Sequence, residues 1–283
     1  MNCTLCGNSS VSAFKVNDYN ILKCTSCNHY FTQLKISTEE VKNIYSDNYF
    51  FGGGDGYPDY TLEKDMLIRK GEYYSKKIEK FIKSGKVLDI GCASGFIIKG
   101  FENKGWKATG IEPNASMSEY GRDLLGLDIR QGTIEEVKLT EKYDLILMIQ
   151  VIAHLFDLNA SMKNVYKHLK PGGYLLIETW NRSSLTAALF GKLWHEYSPP
   201  GTLNFFDKRN LLIFLKKYNF QHIKTGRPEK KLMSNHAKSL IKHKLKSNKF
   251  MKYFSGAVNI VPDNILLPYP AEDLFWSLYQ KVK

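Results

Sequence analysis

Residues 87–96, Val-Leu-Asp-Ile-Gly-Cys-Ala-Ser-Gly-Phe, constrain the fold of this chain more than any other stretch. Four residues typical of a buried strand run directly into two glycines, Gly91 and Gly95, and apolar residues at helical spacing begin at Phe96. Because glycine has no Cβ, the chain can turn tightly there and a ligand can approach the backbone. A strand, a glycine turn and a helix start together predict a site for a nucleotide-like ligand.

Strand-like and helix-like segments alternate after this stretch. The pattern predicts helices over 61–83, 158–169 and 211–218, and strands near 105–112, 127–131, 143–149, 174–179, 220–225 and 274–279. Such alternation is typical of a parallel α/β sheet covered on both faces, in which ligands bind beyond the carboxyl ends of the strands. Glu112 lies at such an end, 21 residues after Gly91. An acid at that place commonly accepts hydrogen bonds from the two hydroxyls of a ribose.

A nicotinamide dinucleotide is the competing ligand for the glycine turn. Its binding motif requires three glycines in the order G-x-G-x-x-G. Counted from Gly91, the second glycine position is occupied by Ala93. The third is occupied by Phe96, which Ile97 follows, so the motif fails. The sequence therefore disfavours a dinucleotide dehydrogenase.

Two cysteine pairs lie near the N-terminus, separated by 17 residues. Four thiolates at this spacing predict a closed tetrahedral zinc site with a structural role, because no ligand position remains open. Gly7 and Asn28 follow the two pairs and tolerate the positive φ of a knuckle turn. Unmetallated thiols and disulfides are the alternatives. The predicted ligands are Cys3, Cys6, Cys24 and Cys27.

The core segments resemble the class I S-adenosylmethionine-dependent methyltransferases. The similarity rests on the stretch 87–95, on Glu112, on Asp144 in the fourth predicted strand and on the run Leu169–Gly173, and it covers roughly residues 60–225. It implies a Rossmann-like sheet of seven strands whose last strand runs antiparallel. Two departures are Ala93 at the usual middle glycine and Thr133 where an acid often meets the adenine.

The same resemblance implies roles by position. The loop from Asp89 to Gly95 would hold the methionine part of the cofactor, and Glu112 the ribose. Thr133 and Ile134 would flank the adenine, and Gln150 would stand near the methionine carboxylate or the sulfonium. The predicted cofactor residues are Asp89, Gly91, Cys92, Ala93, Gly95, Glu112, Pro113, Thr133, Ile134, Gln150 and Tyr49.

Residues 36–60 read as a connector that becomes an aromatic arm around the run Gly-Gly-Gly-Asp-Gly at 52–56. One interpretation is that these rings pack the N-terminal region against the core. The other is a lid over the ligand with glycine hinges. The rings belong to Tyr45, Tyr49, Phe50, Phe51, Tyr57 and Tyr60.

The acceptor side is predicted in the irregular segment 193–202, because long irregular connections at a ligand edge often carry function. Methyl transfer to a hydroxyl needs a base held in line with the methyl group. His154, just past the fourth strand, is the first candidate base, although it could instead be a helix-start residue bonded to backbone. His195 with Glu196 is the second, and Tyr197 could orient the acceptor. The histidine that many relatives carry before Phe205 is absent; Thr202 and Asn204 stand there.

The net charge of +12 is concentrated in residues 224–252, which hold ten Lys or Arg and one acid. Apolar residues at a spacing of three to four from Lys231 to Tyr253 predict a basic amphipathic helix within an insertion at 228–268 before the last strand. A solvated helix face is the ordinary interpretation. The alternatives are contact with an anionic acceptor, with a membrane surface or with RNA phosphates.

The predicted organisation is a zinc ribbon over 1–35, the arm over 36–60 and a methyltransferase domain over 61–283. From the family resemblance we expect O-methylation of a sugar or glycan precursor in surface polysaccharide biosynthesis. The alternatives are methylation of a ring nitrogen in ribosomal RNA and a cofactor-binding scaffold without turnover. With no signal peptide or spanning segment recognisable, we expect a cytoplasmic protein, with contact to the inner membrane face as an option.

Overall fold

The computed structural model describes residues 1–34, 43–52, 59–234, 265–269 and 272–282, and the single residues 40, 57, 238 and 262. The strands are β1 Ser10–Val16, β2 Tyr19–Cys24, β3 Tyr30–Thr32, β4 Lys86–Ile90, β5 Lys107–Glu112, β6 Asp128–Gln131, β7 Tyr143–Ile149, β8 Leu169–Trp180, β9 Asn204–Phe205, β10 Phe220–Gly226, β11 Lys230–Met233, β12 Leu266–Tyr269 and β13 Leu274–Lys281. The α-helices are α1 Asp47–Phe51, α2 Lys64–Ile78, α3 Phe96–Glu102, α4 Ala115–Leu125, α5 Leu158–His168, α6 Leu185–Phe190 and α7 Lys208–Lys216.

The central sheet has the strand order β10-β13-β8-β7-β4-β5-β6. Strands β4 to β8 pair in parallel, whereas β13 runs antiparallel to both of its neighbours, β8 and β10. The predicted sheet of seven strands with an antiparallel last strand is therefore confirmed. All carboxyl ends of the parallel strands meet at one edge, which is where the order of this sheet predicts a ligand site.

Burial explains why the central strands are nearly continuous apolar runs. Residues 145–149 of β7 and 87–90 of β4 are buried, because helices cover both faces of the sheet. Helix α2 packs closely on α3, and a Cβ at Gly71 would collide with the carbonyl group of Ile97. The close approach of these two helices therefore requires a residue without a side chain at position 71.

The N-terminal region forms its own small antiparallel sheet in the order β1-β2-β3-β9. Its fourth strand comes from far along the chain, since Tyr30 pairs with Phe205 and Phe31 pairs with Asn204. The cysteine-bearing segment is thus joined by backbone hydrogen bonds to the segment that follows 193–202.

Three element predictions need correction. Helix α2 ends at Ile78 rather than at 83, and a 3₁₀ turn, Tyr60–Glu63, precedes it. Strand β8 begins at Leu169 instead of 174; the run Lys170–Gly173, expected only to end a helix, lies inside the strand, where the register against β7 shifts. The third correction concerns the basic insertion.

Residues 231–233 were predicted to open a basic helix, and they form a strand instead. Strand β11 pairs with β12 in antiparallel register, which satisfies backbone groups that a helix would have bonded internally. Most of the predicted helix, from 235 to 253 apart from Lys238, lies outside the described residues, as does the glycine run 53–56. In the part of the chain that is described, no helix is both long and apolar enough to cross a membrane.

Candidate functional site

A cavity opens at the carboxyl edge of β4, β5, β6 and β7. Its empty volume is about 930 Å³, a figure that includes open solvent at the mouth. The predicted cofactor residues among its lining are Gly91, Ala93, Glu112, Pro113, Thr133, Ile134 and Tyr49, and His154 also lines it. Asp89, Cys92, Gly95 and Gln150 are not among the lining residues.

The glycine turn has the backbone geometry that its sequence predicted. Gly91 and Gly95 have φ values of 69° and 75°, and the non-glycine residue Ala93 also has a positive φ, 47°. A Cβ at Gly91 would lie 2.6 Å from the side chain of Val151, so this position cannot take a larger residue without movement. The Ala93 N–H donates to Glu112 Oε2 at 2.8 Å, which ties the turn to the end of β5.

Glu112 is held in place at both carboxylate oxygens. Its Oε1 accepts from the Asn114 N–H at 2.9 Å, while its Oε2 accepts from Ala93. Burial raises the pKa of this carboxyl to about 7, and the two backbone donors oppose that shift. The side chain is therefore fixed in position and able to accept further hydrogen bonds through its remaining lone pairs.

Asp89 lies at the end of β4, just behind the glycine turn. The side chain is 2% exposed, and its Oδ1 has no hydrogen-bond partner among the described residues. Burial raises the pKa of Asp89, the charge of Glu112 adds to this, and Lys70 opposes it. A buried acceptor without a donor is costly unless a ligand supplies one.

A buried ion pair beside the site was not predicted from the sequence. Lys70 Nζ of α2 lies 2.7 Å from Glu178 Oε1 of β8, and Tyr74 donates its hydroxyl to the same carboxylate. Gln150 donates its side-chain amide to Glu178 Oε1 at 3.0 Å and its N–H to the Glu178 carbonyl at 2.8 Å. These two hydrogen bonds hold Gln150, whose φ of 59° lies in the left-handed region that few non-glycine residues adopt.

The charge of Glu178 is maintained against its burial. Burial raises the pKa of this carboxyl, but Lys70, Tyr74 and Gln150 together outweigh it and hold the pKa below its usual value. The available sequence signal was an acid inside the apolar run 175–179, the same kind of signal as Asp89. The partner on α2 could not be inferred, because 108 residues separate it from Glu178.

The aromatic arm lies over the cavity. Four of its rings meet edge to face: Tyr49 with Phe50, Tyr49 with Tyr57, and Tyr57 with Tyr60, at centroid distances of 4.9–6.1 Å. All four line the cavity, together with Tyr45. Arm residue Phe51 is 42% exposed and does not line it.

Polar contacts fasten the arm to the start of α4. The amide of Asn114, the N-cap of that helix, donates to the Tyr45 carbonyl at 3.0 Å and to Asp47 Oδ1 at 3.1 Å. Ser116 Oγ donates to Asp47 Oδ2 at 2.9 Å. The arm is therefore held at Asn114, two residues after Glu112.

His154 has one ring nitrogen tied to backbone. Its Nδ1 lies 2.9 Å from the Gly201 carbonyl oxygen, which also accepts from the Tyr45 hydroxyl at 2.8 Å. Because a carbonyl can only accept, Nδ1 must carry the proton, and Nε2 of the neutral ring is left as an acceptor. Burial lowers the pKa of His154, and the Gly201 carbonyl partly opposes this, so the ring stays neutral to lower pH than a free histidine.

The second candidate base, His195 with Glu196, lies outside the cavity lining. His195 Nδ1 is 3.9 Å from Asp273 Oδ2, and its ring meets that of Trp180 edge to face at 4.4 Å. Tyr197 packs against Phe14 of β1 and Phe205 of β9. His195, Glu196 and Tyr197 are not among the residues that line the cavity.

Asn204 stands near the place where many relatives carry a histidine, and it joins three parts of the chain. Its Oδ1 accepts from Thr4 at 3.1 Å and lies 3.3 Å from His29 Nε2, while its Nδ2 donates to the Leu155 carbonyl at 3.2 Å. Leu155 follows His154 directly and lines the cavity. The sequence did not suggest His29, which is fully buried beside the cysteine-bearing turn.

The four N-terminal cysteines converge. Their Sγ atoms all lie within 4.8 Å of one another, with Cys3 to Cys27 at 3.6 Å and Cys6 to Cys24 at 3.4 Å. A zinc tetrahedron with bonds of about 2.3 Å separates its sulfur ligands by about 3.8 Å. None of the four forms a disulfide. Gly7 and Asn28 have the positive φ expected of knuckle turns, 78° and 60°.

Comparisons with known proteins agree with this geometry. Residues 66–225 match the family model described as a methyltransferase domain. A ubiquinone biosynthesis O-methyltransferase from Bradyrhizobium sp. (strain ORS 278) is 32% identical over 136 residues, 46% of this chain and 53% of that protein. One from Rickettsia prowazekii (strain Madrid E) is 31% identical over 134 residues, 44% of this chain and 53% of that protein.

The chain thus spans about half the length of the curated relatives it matches. Among solved structures, a Bacillus halodurans protein aligns with a TM-score of 0.56 at 15% identity, over 75% of this chain and 99% of that one. At this identity the likeness is one of fold alone.

Proposed function

We propose that this chain, which belongs to the methyltransferase-domain family, is an S-adenosylmethionine-dependent enzyme that methylates a ring hydroxyl with His154 as the base. The observation that carries this proposal is the hydrogen bond from His154 Nδ1 to the Gly201 carbonyl. It selects the tautomer in which Nε2 can accept a proton, on a residue that lines the cavity.

The cavity suits S-adenosylmethionine on three observations. Glu112 offers a fixed carboxylate, the positive-φ turn brings the backbone of Gly91 and Ala93 to the cavity wall, and Asp89, directly behind that wall, has a buried oxygen without a partner among the described residues. Asp89 would accept from the ammonium group, and Glu112 would accept from the ribose hydroxyls. Thr133 and Ile134 would flank the adenine, and Gln150 would stand near the methionine end.

When bound, the cofactor supplies an electrophilic methyl group on a sulfonium. The protein's own contribution is to place and deprotonate the acceptor. The hydroxyl proton of the acceptor would pass to His154 Nε2, and the Gly201 carbonyl would stabilise the resulting imidazolium through Nδ1. The rings of Tyr49, Phe50 and Tyr57 would exclude water from the reacting groups, which strengthens the electrostatic interactions inside.

For the acceptor we propose first a hydroxyl of a sugar or glycan precursor in surface polysaccharide biosynthesis. The support is the order of segments: a cysteine region, an aromatic arm and a methyltransferase core with Phe205-Phe206-Asp207. A cavity lined by five aromatic rings from the arm also suits the apolar face of a sugar ring.

The second candidate acceptor is a hydroxyl-bearing intermediate of ubiquinone biosynthesis. The observation that favours it is the shared name of the curated relatives, at identities of 29–32%. An aromatic ring would stack on the same side chains as a sugar would. The two candidates therefore differ in substrate and share the same base.

The test is methyl transfer from labelled cofactor to fractionated cell extract. Label in the nucleotide-sugar or lipid-linked glycan fraction supports the first acceptor, and label in the quinone-precursor fraction supports the second. Label in an RNase-sensitive fraction contradicts both proposed acceptors and favours the alternative substrate, ribosomal RNA. Incubation with the His154→Ala protein serves as the control, since it should bind cofactor and transfer little label.

A structural zinc ion at Cys3, Cys6, Cys24 and Cys27 is a separate proposal. Its support is the convergence of the four Sγ atoms within 4.8 Å. Metal analysis of the purified protein should find about one zinc per chain. Removing it with a chelator should lower the melting temperature, and a Cys24→Ser protein should match the chelated protein. A chain that purifies without metal and melts unchanged after chelation would contradict the site.

A further inference from the structure

Residues 201–205, which we call the bridging segment, hold the backbone on both sides of His154. Before it, the Ala153 carbonyl accepts from the Leu203 N–H at 2.9 Å. After it, the carbonyl of the next residue accepts from the side-chain amide of Asn204 at 3.2 Å. The first carbonyl of the bridging segment lies against the ring itself. The candidate base is therefore bound at its ring and at both neighbouring residues by one stretch of chain.

The N-terminal sheet binds the same bridging segment. The Thr32 N–H donates to the Leu203 carbonyl at 2.9 Å, and the Thr32 hydroxyl donates to the Thr202 carbonyl at 2.9 Å. Strand β9, at the end of the bridging segment, pairs with β3. The bridging segment thus connects the N-terminal sheet to the backbone around the candidate base.

The side chain of Asn204 belongs to both sets of contacts. Its Oδ1 accepts from the Thr4 hydroxyl at 3.1 Å and lies 3.3 Å from His29 Nε2, while its Nδ2 donates to the Leu155 carbonyl at 3.2 Å. Because that carbonyl can only accept, the amide nitrogen must face it, and the amide oxygen faces Thr4 and His29. One side chain, 3% exposed, thereby links the N-terminal region to the residue after His154.

Thr4 and His29 both lie in the turns that carry the N-terminal cysteines. Thr4 directly follows Cys3, and His29 lies two residues after Cys27. The carbonyl of His29 accepts from the Cys24 N–H at 2.8 Å. The fold of these cysteine turns therefore determines where the two partners of the Asn204 oxygen stand.

Asn204 has no direct access to the reacting groups. It is not among the residues that line the cavity, whereas Leu155 and His154 are. Any influence of Asn204 on the reaction must therefore pass through the position of its neighbours. A displacement of about 1 Å in a catalytic group can cost about 10²-fold in rate, so the anchoring of the backbone beside a base matters to turnover.

We propose that Asn204 is a positioning residue for His154. By holding the Leu155 carbonyl it keeps the ring of His154 on the Gly201 carbonyl, with the proton on Nδ1. The cysteine turns contribute to the same end through Thr4. The effect on the reaction rests on the proposed function, in which His154 is the base, whereas the orientation of the ring can be measured without turnover.

The first measurement is the tautomer of His154 in the full chain. Its seven histidines are labelled with nitrogen-15, and long-range proton–nitrogen spectra distinguish a protonated ring nitrogen from an unprotonated one. The signals of His154 are those that His154→Ala lacks. We expect Nδ1 to carry the proton in the unaltered chain. Asn204→Leu removes both hydrogen-bonding groups at similar volume and should lower the Nδ1–H population by about twofold or more, because the hydrogen bond of the ring sets its tautomer.

The second measurement is the rate of methyl transfer by the same proteins. Labelled S-adenosylmethionine is supplied at saturation, and the acceptor is the cell-extract fraction that the unaltered chain labels. Asn204→Leu should lower the rate by about 10–100-fold, because the base is displaced. Its affinity for S-adenosylmethionine, measured by calorimetry, should not change.

Thr4→Val and Thr4→Ser form a matched pair that acts from the cysteine turns. Valine has the shape of threonine without the hydroxyl, so the Asn204 oxygen loses one donor and the rate should fall by about 2–10-fold. Serine keeps the hydroxyl and should hold the rate within about twofold. This pair tests the proposal even if Asn204→Leu fails to fold.

Three results overturn the proposal. The first is that Asn204→Leu and Thr4→Val both keep the Nδ1–H form and the unaltered rate. The second is that Thr4→Ser loses as much rate as Thr4→Val. The third is that Asn204→Leu melts at a lower temperature and binds cofactor less well while the tautomer of His154 stays the same, which would make Asn204 a residue of stability alone.

Failure of the proposed function gives a different pattern. In that case His154→Ala still transfers methyl groups at the unaltered rate. Loss of the Nδ1–H form in Asn204→Leu would then still support the orientation of the ring by Asn204, because the tautomer does not depend on turnover.

Discussion

The two halves of the cavity are built in different ways. The half that we propose binds the cofactor, here the cofactor half, is formed by Gly91, Ala93, Glu112 and Thr133, and it consists of the ends of adjacent parallel strands, β4 to β6, and of the turns that follow them. The half that we propose binds the acceptor, here the acceptor half, brings His154 together with Gly201 and Tyr45, which lie 47 and more than 100 residues away along the chain. One half is a property of the sheet, and the other is a property of how separate segments pack against it.

This difference predicts how substitutions in each half of the cavity affect the protein. A strand end keeps its position as long as the sheet forms, so the cofactor half depends on few contacts outside it. The acceptor half depends on a single carbonyl oxygen that receives both the His154 ring and the Tyr45 hydroxyl. Substitutions in the two halves should therefore affect different measurable quantities.

The largest effect is expected from His154→Ala. Removing a general base usually costs about 10²–10⁴ in kcat. Affinity for the cofactor, measured by calorimetry, should stay unchanged, because no residue of the cofactor half is altered. His222→Ala is the control, since that histidine is exposed on β10. Turnover within a few-fold of the unaltered enzyme would remove His154 as the base.

The dependence of kcat on pH also tests His154 as the base. The base works only when neutral, and burial lowers the pKa of His154. At saturating cofactor, kcat should therefore hold as pH falls through the usual histidine pKa of about 6.5 and decline only below it.

Lys70→Met is expected to cause the next largest change, and it concerns stability. It leaves Glu178 fully buried without its cation, which should lower the free energy of unfolding by about 3–5 kcal/mol. Lys76→Met, on an exposed position of the same helix, provides the baseline. Denaturant unfolding is the measurement. A loss no greater than that of the Lys76 variant would show that Glu178 does not depend on Lys70.

Glu112→Gln should weaken cofactor binding by about 10–100-fold, because hydrogen bonds to a charged group are replaced by weaker ones. Burial raises the pKa of Glu112 to about 7, so binding to the unaltered chain should also weaken as pH falls below that value and the carboxylate takes up a proton. The variant should lack this pH dependence. Glu119→Gln, exposed on α4, is the control. If both proteins show the same pH profile, another group controls it.

Tyr45→Phe should reduce kcat by the smallest factor of these variants. It also distinguishes an effect on the acceptor half from an effect on the cofactor half. It removes one donor from the Gly201 carbonyl while keeping the ring over the cavity, and a single hydrogen bond of this kind is worth about 2–10-fold. The loss should appear in kcat, with cofactor affinity unchanged. Tyr73→Phe, on α2, is the comparison variant. A loss of cofactor affinity instead would place Tyr45 in the cofactor half.

How much of the site could be predicted from the sequence also differs between the two halves of the cavity. The turn at Gly91 and the acid Glu112 were predicted because a strand–turn–helix pattern and the end of the next strand, 21 residues further on, carry the two signals. The link between Lys70 and Glu178 was not predicted, since nothing local to either residue indicates the other. His195 was the second candidate base on sequence, after His154, and its packing places it against Trp180 and near Asp273.

By itself the sequence determined the alternation of strands and helices, the edge of the sheet that carries the cofactor half and the four cysteines at zinc spacing. These follow from periodicity and short spacings, which local backbone geometry imposes. Only the tertiary structure decided that β9 completes the N-terminal sheet, that Gly201 selects the His154 tautomer and that leucines of α6 face solvent. Each of these depends on contacts between residues far apart in the chain or on which face of an element is covered.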